Sequence, residues 1–288
     1  MVLPVTSRQR CDLLYAYTVM ETGNMKELEG ALRSGLLDVN GCRARGFVPL
    51  ILAACLGQMP AAELLIAKGA DVNLPFRTDV LEPDLKNTES PHSHGERPLH
   101  AAAKYCHVDI VLLLIRAGAE VNAADIDGLT PLHRSFPSQS ASSQGRCDIA
   151  QALLGAGGDP CLPNNHGAIP LHYAAQCGNI DAIDLLLSKA PETINQQDGE
   201  GWTALGYAAG TESADAVAHL LVKGASPKVA FPAGCMLCQA IMCSSEGVVR
   251  AIIRHTDSFS DISPTHSVVS IAVFVGQARI LRDVLEKD

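Results

Sequence analysis

The sequence predicts an all-α solenoid, in which short helix-turn-helix repeats stack in chain order. The first observation is a recurring phrase: RPLHA at residues 97–101 returns as TPLHR at 130–134 and as IPLHY at 169–173. The second is another phrase that follows at a fixed distance, GADVN at 69–73 and GAEVN at 118–122. The third is the period, since Leu132 lies 33 residues after Leu99. Self-similarity at such a period is the signature of a repeat architecture.

Each repeat is predicted to open with a turn and a short helix. In the copy at 130–134, Asp127 and Gly128 precede the phrase, and glycine supplies the positive φ that a tight turn requires. Thr130 has the side chain of a helix N-cap, and Pro131 suits the first helical position because its missing N–H would have no partner there. The phrase therefore marks the start of the first helix of a repeat.

A second helix follows in each repeat and is clearest at residues 108–118. Ile110, Leu113, Leu114 and Ala117 have the i, i+3, i+4, i+7 spacing of one helical face. Gly118 is placed as the C-terminal stop. Two antiparallel helices in each repeat would then bury one face against each neighbouring repeat.

The period extends along the whole chain and predicts about eight repeats in a single domain over residues 1–288. The repeats at both termini and around Leu237 and Val269 are degenerate. Two insertions interrupt the period, at about 74–94 and about 136–145. Both have loop composition, and they are either surface padding or contact loops for a partner.

These phrases resemble the signature of ankyrin repeats, Thr-Pro-Leu-His-x-Ala-Ala followed by Gly-Ala-Asp-Val-Asn. The resemblance covers nearly the whole chain and is strongest in the third to fifth repeats. It implies a curved solenoid whose finger-like turns and first helices line a concave face. It also implies a non-catalytic scaffold, adaptor or inhibitor that binds a partner protein there, with no cofactor and no metal.

The resemblance also indicates which positions would contact the partner. In ankyrin-like repeats these are the finger tip, the residue after its glycine, and the pair after Ala-Ala. Several side chains at these positions are larger and more apolar than solvation alone would favour, and interface hot spots are rich in Trp, Tyr and Arg. The predicted partner-binding residues are Arg45, Phe47, Glu96, Lys104, Tyr105, Ile126, Asp127, Leu129, His166, Gln176, Glu200 and Trp202.

Composition and charge restrict the partner and the compartment. The formal net charge is −9 and no basic run occurs, which argues against nucleic acid. The longest aliphatic run is residues 111–115, far below the ~18 residues of a membrane span. Residues 1–11 contain no apolar run of the signal-peptide type, so the ten cysteines are expected to be reduced thiols. We expect an intracellular monomer, cytoplasmic or nuclear.

Chemical motifs give only minor alternatives. His100, His133 and His172 occupy equivalent positions, and the resemblance implies that each imidazole is a structural hydrogen-bonding group. Cys235 and Cys238 have redox or zinc spacing without a second pair. No catalytic signature occurs. The alternative to a binding scaffold is a regulatory or targeting module of an enzyme, with a weak thiol or metal site near those two cysteines.

Overall fold

The computed structural model describes residues 18–41, 48–76, 95–136, 143–227 and 246–255. Over these ranges the chain forms helices joined by turns, and they contain no strand. The chain divides into two compact units. The first comprises Met1–Ser135 and Asp148–Asp159, and the second comprises Phe136–Cys147 and Pro160–Asp288. The single domain over 1–288 stays a prediction.

The described helices are the first and second helices of successive repeats. They are α1 (Met25–Arg33), α2 (Pro49–Leu56), α3 (Met59–Ala67), α4 (Pro98–Lys104), α5 (Val108–Arg116), α6 (Pro131–Arg134), α7 (Ser143–Gly155), α8 (Pro170–Gln176), α9 (Ile180–Lys189), α10 (Ala204–Gly210), α11 (Ala214–Val222) and α12 (Glu246–His255). From α1 to α11 the helices alternate between second and first helices of successive repeats, and α12 is again a second helix. A 3-10 helix, Pro191–Asn195, follows α9.

Within each unit, first helices pack on first helices and second helices on second helices. In the first unit α4 packs between α2 and α6, while α3 contacts α1 and α5. In the second unit α8 packs on α10, and α11 contacts α9 and α12. The leucine that sets the period is buried in every described repeat. These leucines are Leu50, Leu99, Leu132, Leu171 and Leu205. The predicted all-α repeat class is therefore confirmed.

The predicted helix signals lie where the helices begin and end. Pro131 is the first residue of α6, and Thr130 precedes it with extended backbone as the N-cap. Helix α5 ends at Arg116, two residues before Gly118, whose φ of +86° reverses the chain. The N–H of Ala119 then donates to the Leu114 carbonyl, which satisfies an acceptor at the helix end.

The insertions are better packed than loop composition suggests. Phe136, assigned to the second insertion, is buried with 2% of its surface exposed, and its carbonyl accepts the Cys177 thiol at 3.4 Å. Helix α7 begins at Ser143, inside the same insertion. The prediction of a loop over all of 136–145 was therefore wrong at both ends, because one end buries an aromatic side chain and the other begins a helix. In the first insertion, residues 77–94 lie outside the described residues.

Candidate partner-binding surface

The backbone of the turn before α6 is held by hydrogen bonds to one side chain. The Asp125 Oδ1 atom accepts the N–H groups of Asp127 at 3.0 Å and Leu129 at 2.9 Å. The Asp125 N–H in turn donates to the Leu129 carbonyl at 3.0 Å. We call this type of turn a finger. Because its backbone polar groups are already bonded, the finger is a fixed platform for the side chains that it carries.

The same device recurs in two fingers of the second unit. Asn164 Oδ1 accepts the N–H groups of His166 and Ala168, and Asp198 Oδ1 accepts those of Glu200 and Trp202. The two fingers are also joined to each other, since the Gly199 N–H donates to the His166 carbonyl at 2.7 Å. This pair of fingers therefore presents its side chains in a defined register.

In each of these three fingers, a polar residue nine positions after the Asp or Asn bonds to that Asp or Asn side chain and holds it in place. Arg134 Nε donates to Asp125 Oδ2 at 3.1 Å, in an ion pair whose carboxylate is fully buried. In the second unit, Asn164 Nδ2 donates to the Tyr173 hydroxyl, and the Tyr207 hydroxyl donates to Asp198 Oδ2 at 2.7 Å. Burial and that carboxylate both raise the pKa of Tyr207. Sequence reasoning missed these anchors, although the Asx residue and its partner recur three times at one spacing.

The histidines of the repeated phrase connect each first helix to the next finger. His100 Nδ1 accepts the Arg97 N–H, and its Nε2 donates to the Leu129 carbonyl at 3.0 Å. His172 Nδ1 accepts the Ile169 N–H, and its Nε2 faces the Trp202 carbonyl at 3.1 Å. Burial lowers the pKa of both imidazoles, which favours the neutral form. The predicted structural role is confirmed for these two histidines.

Five of the predicted binding residues lie on one finger and at one helix end of the first unit. Ile126 is 58% exposed at the finger tip, and Tyr105 is 38% exposed at the end of α4. Lys104 Nζ lies 5.4 Å from the centroid of the Tyr105 ring. Asp127 is exposed and Leu129 is half-buried. The result is a mixed apolar and charged surface on one finger and one helix end.

Glu96 does not belong to that surface, and its predicted exposure was wrong. Its side chain is fully buried, and its carbonyl accepts the Phe76 N–H at 2.7 Å. Burial raises the pKa of the Cys55 thiol to about 12, and the charge of Glu96 adds to that shift. Ala168, at the equivalent position after a finger glycine, is also buried. Leu129 and Trp202, which also follow a finger glycine, are half-buried, so the position alone does not decide exposure.

In the second unit, three predicted residues line one groove. Gln176 from α8 faces Glu200 and Trp202 from the finger before α10. The groove encloses about 280 Å³ and is open to solvent. Glu200 is exposed and Trp202 is half-buried, while His166 is exposed on the preceding finger. The groove was not predicted, because it depends on which side chains α10 lacks.

Several predictions fall on residues that the structure does not describe. Arg45 and Phe47 lie outside the described residues, as do Cys235 and Cys238. Within the described ranges, no cluster of three or more His, Cys, Asp or Glu side chains is placed to hold a metal ion. None of the helices seen in those ranges has the length and apolarity needed to cross a bilayer.

Three family models match separate segments of the chain, and all describe ankyrin repeats. A single ankyrin repeat matches residues 45–75, and an array of many copies matches 85–135. A three-copy array matches 138–230. The matches follow the repeats from the second to the sixth.

Curated relatives are similar to this chain over part of their length. The human transient receptor potential cation channel subfamily A member 1 is 30% identical over 63% of this chain. The tyrosine-protein kinase Shark of Drosophila melanogaster is 32% identical over 42% of it, and the mouse neurogenic locus notch homolog protein 1 is 30% identical over 69%. The chain matches only 18%, 13% and 8% of those proteins, respectively.

Proposed function

This chain belongs to the ankyrin-repeat family, and on that premise we propose that it is a non-catalytic scaffold, adaptor or inhibitor that binds a partner protein. Ankyrin repeats are generally protein–protein interaction modules. The binding surface would consist of the exposed side chains of the fingers and first helices, which we call the finger face. Function is carried by such surface residues and not by the fold.

One observation carries the proposal. Ile126 is an aliphatic side chain, more than half exposed, at the tip of a finger whose backbone is fixed by Asp125. Folding gains nothing from exposing it, whereas a binding site gains from an apolar group on a rigid support. Asp127 on the same finger, with Tyr105 and Lys104 at the end of α4, adds charged and aromatic groups to this unit, a combination typical of interfaces.

The test is affinity purification with mass spectrometry on the full chain. The double variant Tyr105→Ala, Leu129→Ala removes two side chains of the finger face. It should lose the proteins that the intact chain retains, while helicity and melting temperature stay close to the original values. Val222→Ala is the matched control, because Val222 is 69% exposed on the second helix α11. If the double variant and the control retain the same proteins, the finger face of the first unit is not the binding surface.

A second function is favoured by how little of its relatives this chain spans. One of them is named as a tyrosine-protein kinase, and the match covers 13% of it. The same repeats would then act as a regulatory or targeting module of an enzyme. A catalytic segment joined to this chain in its natural transcript would support that reading, and transcript sequencing tests it directly.

A further inference from the structure

We propose that the groove of the second unit receives an arginine side chain of the bound partner. This inference rests on the proposed function and adds the chemistry of one contact. The groove is lined by Gln176, Glu200, Trp202, Gly206, Tyr207, Gly210 and Thr211. Sites for drug-sized ligands have volumes of about 300–1,000 Å³. At about 280 Å³, this open groove suits a single long side chain better than a small molecule.

The groove is open where α10 carries Gly210 in the position that α4 and α8 give to Lys104 and Gln176. Gly206 and Gly210 are four residues apart, so they lie on the same face of the helix, and both line the groove. Gly206 stands where His100 and His172 stand in their repeats. A Cβ atom added at Gly210 would meet no atom within 4 Å. The missing side chain at Gly210 leaves space between α8, α10 and the finger.

The charged residues around the groove indicate that the side chain bound there is positively charged. Residues 160–179 and 196–213 contain the two described fingers of this unit and the first helices that follow them. The charged residues in these two ranges are Asp198, Glu200 and Glu212, with no Lys or Arg. Asp198 already accepts three hydrogen bonds, from two backbone N–H groups and the Tyr207 hydroxyl. The exposed Glu200 carboxylate makes no hydrogen bond or ion pair with the part of the chain that the structure describes. It is the acceptor that remains for a cation.

The aromatic wall selects arginine over lysine. Trp202 and Tyr207 line the same groove as Glu200. A guanidinium group is planar, stacks on aromatic faces and binds a carboxylate through two parallel N–H bonds, whereas an ammonium group does neither as well. The finger that carries Glu200 and Trp202 is held by Asp198 and by its bond to the His166 carbonyl. Little ordering would therefore be needed on binding.

The experiment uses the full chain and a displayed library of random peptides as the probe. Selection should enrich peptides with arginine at one fixed position. In the best synthetic peptide, replacing that arginine by citrulline removes the charge and keeps the shape. This change and Glu200→Gln should each weaken binding about tenfold or more, which is the scale of a lost charge-assisted hydrogen bond. The two losses should not add, since both remove the same interaction.

Glu192→Gln is the matched control, because it makes the same chemical change at an exposed position on the 3-10 helix. It should leave peptide affinity unchanged. Enriched peptides without a fixed arginine, arginine peptides insensitive to Glu200→Gln, or no enrichment at all would each overturn the assignment. Partner capture that still depends on Tyr105 and Leu129 would in that case leave the proposed function standing. If partner capture does not depend on Tyr105 and Leu129 and the groove assignment also fails, both the proposed function and this inference are overturned.

Discussion

Asn122 joins its repeat to the next one through both ends of its side-chain amide. Its Oδ1 accepts the Asp159 N–H at 2.9 Å, and its Nδ2 donates to the Gly157 carbonyl at 2.9 Å. Asn73 makes the same pair of bonds one repeat earlier, to the Glu120 N–H and the Gly118 carbonyl. The asparagine that closes the second repeated phrase is therefore a connector between repeats, which explains why it recurs at the period.

We expect Asn122→Ala to lower the free energy of unfolding by about 1–2 kcal/mol, because two exposed hydrogen bonds of modest net value are lost. Asn195 serves for comparison as a connector with fewer hydrogen bonds, since its Oδ1 accepts one N–H, that of Ser226. Asn195→Ala should cost about half as much. Urea unfolding followed by circular dichroism measures both. A change of less than about 0.3 kcal/mol for Asn122→Ala would show that the connector contributes nothing.

Glu212 occupies a position that the second and fifth repeats give to glycine and the third gives to Cys106, whose φ is +61°. The φ of Glu212 is +60°, while Gly57 and Gly178 at the equivalent position have φ of +70° and +66°. The left-handed region costs an L-residue about 1–2 kcal/mol, and glycine loses about 0.5–1 kcal/mol in chain entropy. We therefore expect Glu212→Gly to stabilise the protein by about 0.5–1 kcal/mol, measured as a shift in the urea midpoint.

The reverse change at Gly57 should be harmful for the same reason and for a second one. A Cβ atom there would lie 2.6 Å from Cε1 of His107, whose Nε2 contacts the Cys55 carbonyl. Gly57→Ala should cost at least about 1–2 kcal/mol. Equal stability of the Gly57→Ala and Glu212→Gly proteins would contradict the assignment of a left-handed position to this turn.

The sequence was sufficient to predict the positions of the repeats and their helices, but not to predict which side chains are exposed. Leu99 and Gly118 were placed correctly, because each position follows from a local rule. Leucine at the repeat period is buried, and glycine at a helix end adopts a positive φ. The predicted exposure of Glu96 was wrong, since its side chain is fully buried although Leu129 and Trp202, at the equivalent position, are only half-buried. The groove beside Gly206 depends on packing between repeats, which a period does not encode.

Acidification below about pH 6.5 should destabilise the protein. Burial lowers the pKa of His100 and His172 below the ordinary value of 6.5, so the unfolded chain binds protons more readily than the folded one. The stability present above pH 6.5 is then lost as the pH falls toward the folded pKa values. Each histidine contributes up to about 1.4 kcal/mol per pH unit.

Urea unfolding at a series of pH values measures this slope. His172→Gln keeps an amide that does not titrate, so the variant should be less stable at pH 7.5 but should lose less stability on going to pH 5. If the pH dependence of the unfolding free energy is the same in this variant as in the original protein, His172 titrates alike in the folded and unfolded states.

Replacing residues 77–94 by an Asn-Gly turn should leave the protein as stable as before or slightly more stable. The two ends are already paired, since the Gly95 N–H donates to the Phe76 carbonyl at 2.8 Å and the Phe76 N–H donates to the Glu96 carbonyl. A two-residue turn fits between residues joined in that way. Loop-closure entropy changes by only about 0.6 kcal/mol for each halving of length, so the gain is at most about 2 kcal/mol.

The anchor of this insertion should matter far more than its length. Phe76 is 7% exposed, and Phe76→Ala should cost about 3–5 kcal/mol as a truncation of a buried aromatic side chain. Melting temperature and partner pull-down are compared for the shortened chain, for Phe76→Ala and for the intact chain. Loss of binding by a shortened chain of unchanged stability would assign residues 77–94 to the partner. A large loss of stability on shortening would instead show that these residues pack against the repeats, contrary to the prediction.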